Sequence, residues 1–335
     1  MSNSKIFGGK KEVRVAIVQT APVYLDLEKS TDKACEKIIE AGKNGASLVA
    51  FSEAWLPGFP AWAESAASEI YEWAEVRIQL YDNALTIPSK ETQQLCDAAA
   101  QANCNVVIGC QELDPRPQSH TLYNTLLFID NHGKILGRHR KLTPTHMEKS
   151  IWGAGDGSDL RTYPTDIGRI GGLICGENVS SLFRARLISL GQEFHVMAYP
   201  AAASIEGPRM HEPDNVGNEF FGFPLARAHA LEAGCFVLLA CGYYTMEDFP
   251  EDFPLRDQIF LDDFRGGSCV FAPGGMQLTE STYGDTILYA DCAADMIKIN
   301  KAIIDTGGHY GRPDVVSLDW HAKPLLEHVE EEKIS

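Results

Sequence analysis

The apolar positions of this chain alternate between short, nearly continuous runs rich in Val, Ile and Leu and longer stretches in which apolar residues recur at helical spacing. The first run, Val13-Arg-Val-Ala-Ile-Val-Gln-Thr20, is β-branched and has the character of a strand buried on both faces. Residues 27–41 then place Ala34, Ile38 and Ala41 on one helical face, with Gly42 near the end. Gly45-Ala-Ser-Leu-Val-Ala-Phe51 is the next strand; it ends in Ser52-Glu53 and a Pro/Gly/aromatic loop. Helical stretches over about 63–81 and 89–102 precede the strand Asn105-Val-Val-Ile-Gly-Cys-Gln-Glu112, and Trp62, Tyr71, Trp73 and Tyr81 fit packing better than a cofactor box. Tyr123 to Asp130, the turn Asn131-His-Gly133, and Lys134 to Arg140 form a hairpin that delivers Lys141.

The most informative stretch is Arg169-Ile-Gly-Gly-Leu-Ile-Cys-Gly-Glu-Asn-Val-Ser-Ser181, an apolar run that stops at Cys175 before a helix over about 180–191. Strand, sharp turn and helix resemble a nucleophile elbow, with Asn178 or Ser180 as the cap. A Cys facing a helix amino terminus is expected to have its thiolate favoured. The plainer alternative for Cys175 is a buried, inert thiol. Strand Phe194 to Pro200 follows, then a polar loop from Glu206 to Asn218, a helix from Asn218 to Ala233, and strands at 235–241, 267–272 and 286–291. The acidic insert 246–263 is expected as a surface loop, and the tail from Ala294 as one helix, a Gly-rich motif and a short strand, with no core after His321. The halves ending in Leu48-Val-Ala-Phe-Ser52 and Val196-Met-Ala-Tyr-Pro200 echo one another, which predicts two sheets face to face, helices outside, and a site at the strand ends between them.

Length and charge narrow the function. A chain of 335 residues buries a sizeable core, and a net charge of −17 without a basic cluster beyond Arg138-His-Arg-Lys141 argues against nucleic acid and acidic membranes as partners. No run is long enough to span a bilayer and no secretory signal opens the chain, so a cytoplasmic protein acting on a small molecule is expected. The nine Cys are scattered without a C-x-x-C pair, His211-Glu212 has no second His four residues on, and Gly153-Ala-Gly-Asp-Gly157 is no dinucleotide fingerprint. Neither a disulfide framework nor a metal site is indicated.

Glu53, Lys141 and Cys175 each stand at a strand end, where a nucleophile would need a base and a fixed cation; taken singly, Glu53, Lys141 and Glu148 have the plainer reading of surface charges. With these residues the chain resembles the nitrilase (carbon-nitrogen hydrolase) superfamily from Val13 to about Leu318. The resemblance rests on Val13 to Pro22, Phe51-Ser-Glu-Ala-Trp-Leu-Pro-Gly58, Arg140-Lys-Leu-Thr-Pro-Thr-His-Met-Glu148, Gly153-Ala-Gly-Asp-Gly157, Leu173-Ile-Cys-Gly-Glu177 and His309-Tyr-Gly-Arg-Pro-Asp314. Several of these look like the nitrilase branch proper. The resemblance implies an α/β fold, the four-layer αββα sandwich, dimerising to αββα-αββα, with no metal or organic cofactor. It also implies a Glu-Lys-Cys triad carried by Glu53, Lys141 and Cys175, with Glu148 as a second acid, and hydrolysis of a nitrile through a thioimidate and a thioester.

Three segments are expected: a mobile arm over 1–12, the hydrolase domain over 13–293, and a subunit-joining tail over 294–335. Trp55, Trp62, His146, Gly176 and Tyr199 are the expected substrate-binding residues. The chain has Ser52 and Gly176 where the branch usually has Pro and Trp, which leaves the chemistry intact and puts substrate preference in question; Gly176 is expected to widen the pocket. Alternatives are an amidase or carbamoylase with the same triad, a cyanide-converting enzyme, a noncatalytic scaffold and a redox sensor. The retained triad speaks against the scaffold, and the lack of a resolving Cys beside Cys175 against the sensor.

Overall fold

The computed structural model describes residues 5–63, 70–117, 119–201, 222–259 and 264–324. In chain order its elements are β1 (Glu12–Gln19), α1 (Leu27–Lys43), β2 (Leu48–Phe51), α2 (Ile70–Asp82), α3 (Lys90–Ala102), β3 (Asn105–Leu113), β4 (Leu122–Ile129) and β5 (Ile135–Arg140). Then come β6 (Tyr163–Thr165), β7 (Gly168–Ile174), α4 (Ser181–Ser189), β8 (Phe194–Tyr199), α5 (Gly222–Ala233) and β9 (Phe236–Cys241). The last are β10 (Gly266–Ala272), β11 (Met276–Gln277), β12 (Thr282–Tyr283), β13 (Thr286–Ala293) and α6 (Ala294–Ile303). Asp26, Ser89 and Ser180 cap α1, α3 and α4 by accepting backbone N–H bonds from the first turn.

Two sheets result. The first has the order β13-β1-β2-β3-β4-β5, the second β11-β10-β9-β8-β7-β6 with β12 on β10. β1, β2 and β3 run parallel, as do β7, β8 and β9. Alternation along each strand sorts residues into layers. Val13, Val15, Ile17, Leu48 and Ala50 of sheet one meet Phe194, Val196, Ala198, Phe236 and Leu238 of sheet two in the central core. Ala16, Val18, Val49 and Phe51 face outward under Ala34, Ile38, Leu95 and Ala99 of α1 and α3. Met197, Val237 and Leu239 lie under Ala226 and Ala230 of α5. Strands buried on both faces explain the continuous apolar runs, and the layers are those of an αββα sandwich.

Four expectations need correction. Residues 5–12 are no mobile arm: Phe7 is buried and stacked on Phe194 at 4.8 Å, and its N–H donates to Glu193 Oε2 at 2.6 Å. A single large ring in a polar segment has found the open end of the inter-sheet core, worth about 1.5–3 kcal/mol of burial. The insert is anchored too, with Phe249, Phe253, Leu255 and Ile259 buried against Tyr24, Tyr244 and Phe264 while Glu247, Glu251 and Asp252 face outward. The tail does not begin a separate unit at 294, because Ala294 and Ile297 belong to the central core. No strand follows α6 among the described residues. The polar loop 206–218, the first residues of the helices expected from 63 and 218, and the end of the chain lie outside the described residues.

Candidate active site

Three strand ends build the site. β2 stops at Phe51, and the chain turns through Ser52 and Glu53 to Ala54, whose φ is 48°; the Glu53 N–H reaches the Tyr199 carbonyl oxygen at the end of β8 at 3.4 Å. A glycine underneath is required, since a Cβ on Gly109 of β3 would stand 2.2 Å from the Ser52 carbonyl oxygen. β5 stops at Arg140, and Lys141 donates its N–H to Asn124 O and accepts from Gly155 N, both at 2.8 Å, so the Gly-rich loop braces it. β7 stops at Ile174. Cys175 has φ 48°, a conformation costly for a residue with a Cβ, and Asn178 Nδ2 donates to its carbonyl oxygen at 3.0 Å.

These ends converge. Lys141 Nζ donates to Glu53 Oε1 at 2.8 Å and to Glu148 Oε2 at 2.7 Å, and all of its side chain is buried. Asn124 Nδ2 donates to Glu53 Oε1 at 2.6 Å, while the Thr145 N–H fixes Glu148 Oε2 at 2.7 Å. The Cys175 sulfur and one carboxylate oxygen each of Glu53 and Glu148 lie within 4.8 Å of one another. Such a trio has the spacing of a metal site, but the Lys141 ammonium, bonded to both carboxylates, already supplies a cation there. The Trp152 ring lies 5.8 Å from that ammonium, and its N–H donates to Gln111 Oε1 at 2.5 Å.

Burial and the neighbouring Glu148 push the Glu53 carboxyl up, to about 7, against the pull of Lys141 and Asn124. Burial acts to lower the Lys141 pKa, but the charges of Glu53 and Glu148 outweigh it and keep the ammonium protonated. Burial and the Glu53 charge raise the Cys175 thiol well above its usual value, with Lys141 offsetting them only in part. This corrects the expectation of a resting thiolate. A 3-10 turn, Cys175–Val179, separates Cys175 from α4, so no α-helix amino terminus stands at the sulfur. The arrangement holds a thiol, a carboxyl with an oxygen, Oε2, lacking a hydrogen-bond partner among the described residues, and a fixed ammonium.

The expected substrate-binding residues separate. Trp55 is buried on the outer side of sheet one, edge-on to Phe51, with its N–H donated to Thr20 O at 2.7 Å. Trp62 is buried in the aromatic cluster with Tyr24 and lies edge-on to Trp73. Tyr199 packs beside α5, its hydroxyl raised well above its usual pKa by burial. His146, exposed with φ 47°, stands in the turn that carries Glu148. At Gly176 a Cβ would come 2.9 Å from Thr145 Oγ1, so its bareness serves the approach of the Glu148 turn. Sequence reasoning missed Asn124 and the role of Asn178 at the Cys175 carbonyl. A polar Asn inside the apolar run of β4 was the available signal.

The model of the carbon-nitrogen hydrolase family matches residues 14–300. The chain is 40% identical over 310 residues to Nitrilase 2 of an unknown prokaryotic organism, covering 92% of each. It is 35% identical to an aliphatic nitrilase of Rhodococcus rhodochrous, over 92% of this chain and 79% of that one, and 35% identical to an arylacetonitrilase of Aspergillus niger, over 95% and 91%. Nit3 of Saccharomyces cerevisiae, a member of branch 10 of the nitrilase superfamily, shares the fold with a TM-score of 0.69 at 21% identity, over 90% of this chain and 97% of that one. The family model and these relatives show a hydrolase of carbon–nitrogen bonds other than peptide bonds. The chain belongs to the carbon-nitrogen hydrolase family, in its nitrilase branch.

Proposed function

We propose that the protein hydrolyses an organic nitrile to the carboxylic acid and ammonia, with Cys175 as nucleophile, Glu53 as base, Lys141 as the fixed cation and Glu148 as the acid that positions Lys141. The observation that carries this reading is the buried Lys141 ammonium bonded to both Glu53 and Glu148, with the Cys175 sulfur beside both carboxylates. Because the resting sulfur is a thiol, its proton passes to Glu53 as sulfur bonds to the nitrile carbon. Glu53 passes that proton on to the nitrile nitrogen, giving a thioimidate and leaving Glu53 free again as a base. Glu53 then removes a proton from water as its oxygen adds to that carbon; the nitrogen, fully protonated, leaves as ammonia and a thioester remains. A second water cleaves the thioester, releasing the acid and restoring the thiol. Lys141 faces the charge that builds on nitrogen and then on oxygen, and one preorganised donor of this kind contributes about 2.7–4 kcal/mol.

No bound metal or organic cofactor enters this chemistry. The same reading keeps Trp55, Trp62, His146, Gly176 and Tyr199 as candidate substrate contacts. It also includes a homo-oligomer. Ammonia release from aliphatic, arylaliphatic and aromatic nitriles and their amides tests the proposal: nitriles should give acid and ammonia. Turnover of amides alone would make the protein an amidase.

A further inference from the structure

Among the described residues the two sheets share no backbone ladder, so side chains help to fix the separation of Lys141, beyond β5, from Cys175, beyond β7. One buried carboxylate spans that gap. Glu177 Oε1 accepts the N–H of Leu142, next to Lys141, at 2.6 Å, and Oε2 accepts the N–H of Ile174, next to Cys175, at 2.9 Å. His139 of β5 brings Nε2 to 3.0 Å from the same Oε2, and both side chains are buried. Burial acts to lower the His139 pKa, but the charge and hydrogen bond of Glu177 outweigh it and raise it, so the ring faces Glu177 as a donor.

Resting on the roles given above to Lys141 and Cys175, we propose that Glu177 is a positioning residue for the reaction: through Leu142 and Ile174 it sets Lys141 against Cys175, and His139 holds its carboxylate in place. Only a carboxylate fits. It accepts at both oxygens, whereas an amide presents an NH2 group to at least one of the three donors. A misplacement of about 1 Å between reacting groups costs about 10²-fold in rate.

The test compares steady-state kinetics of Glu177→Gln with the parent on one nitrile, well below the melting temperature of each. The expected result is a kcat lower by about 10²-fold with KM little changed. His139→Leu should lose kcat as well, and His139→Gln, which keeps a donor, should lose less. A lowered melting temperature with near-parental kcat in Glu177→Gln would make Glu177 merely structural and overturn the proposal. Should Glu177→Gln not fold, equal kcat in the two His139 variants would overturn it instead. Cys175→Ala serves as the control: if that variant is inactive while Glu177→Gln turns over normally, only the positioning role fails, whereas an active Cys175→Ala would remove the reading beneath it.

Discussion

Glu53 serves as a base only with its proton off, and burial beside Glu148 sets that loss near 7. In the free enzyme kcat/KM should therefore rise with pH through about 7 and level off above it. Asn124 donates to Glu53 Oε1 and favours the charged form, so Asn124→Ala should move the acidic limb to higher pH; an unmoved limb would assign it to another group. Gly176 gives a second expectation. An added Cβ displaces Thr145, whose N–H fixes Glu148, so Gly176→Ala should lower kcat evenly across nitriles of different size. A loss confined to bulky substrates would place position 176 in the pocket instead. Glu53 and Cys175 stood out in the sequence because each ends an apolar run abruptly, whereas Lys141 follows the polar Arg138-His-Arg140 and was singled out by its place after the hairpin and by the family resemblance. Asn124 was missed: its place in the apolar run of β4 marks it as unusual, but its partner lies 71 residues away.

At the scale of elements, strands buried on both faces could be read from their continuous apolar runs, and Ser180, one of the two expected caps, does cap α4, while the caps Asp26 and Ser89 went unread. What escaped were segments held by isolated anchors. Phe7 in the arm and Phe249 and Phe253 in the acidic insert are single rings in polar surroundings, and local composition says nothing of the distant core that receives them. Phe7 stacks on Phe194 and lies 5.9 Å from Phe236, at the inter-sheet core. Phe7→Ala should lower the unfolding free energy by about 3–5 kcal/mol, read from the denaturant midpoint at unchanged slope. A change within about 0.5 kcal/mol would mean that the segment contributes no more than an ordinary surface position.

For the whole molecule, the echo between the two halves of the chain foretold two facing sheets, while the division into domain and tail did not anticipate that α6 closes the core. A cut meant to probe assembly must therefore spare Ala294 and Ile297. The residues beyond α6 carry the exposed apolar side chains Val315, Val316 and Leu318, while Trp320 turns back onto Arg186 of α4 at 4.7 Å. Truncation after Asp305 should leave a folded chain of lower oligomeric mass by light scattering, and an unchanged mass would take assembly away from the tail. The central claim, a nitrile captured on Cys175, is tested most directly by peptide mass spectrometry of enzyme acid-quenched during turnover. The account predicts a substrate-derived thioimidate or thioester on the peptide that carries Cys175, absent from Cys175→Ala. An adduct on a different cysteine, or ammonia release at the parental rate by Cys175→Ala, would contradict it.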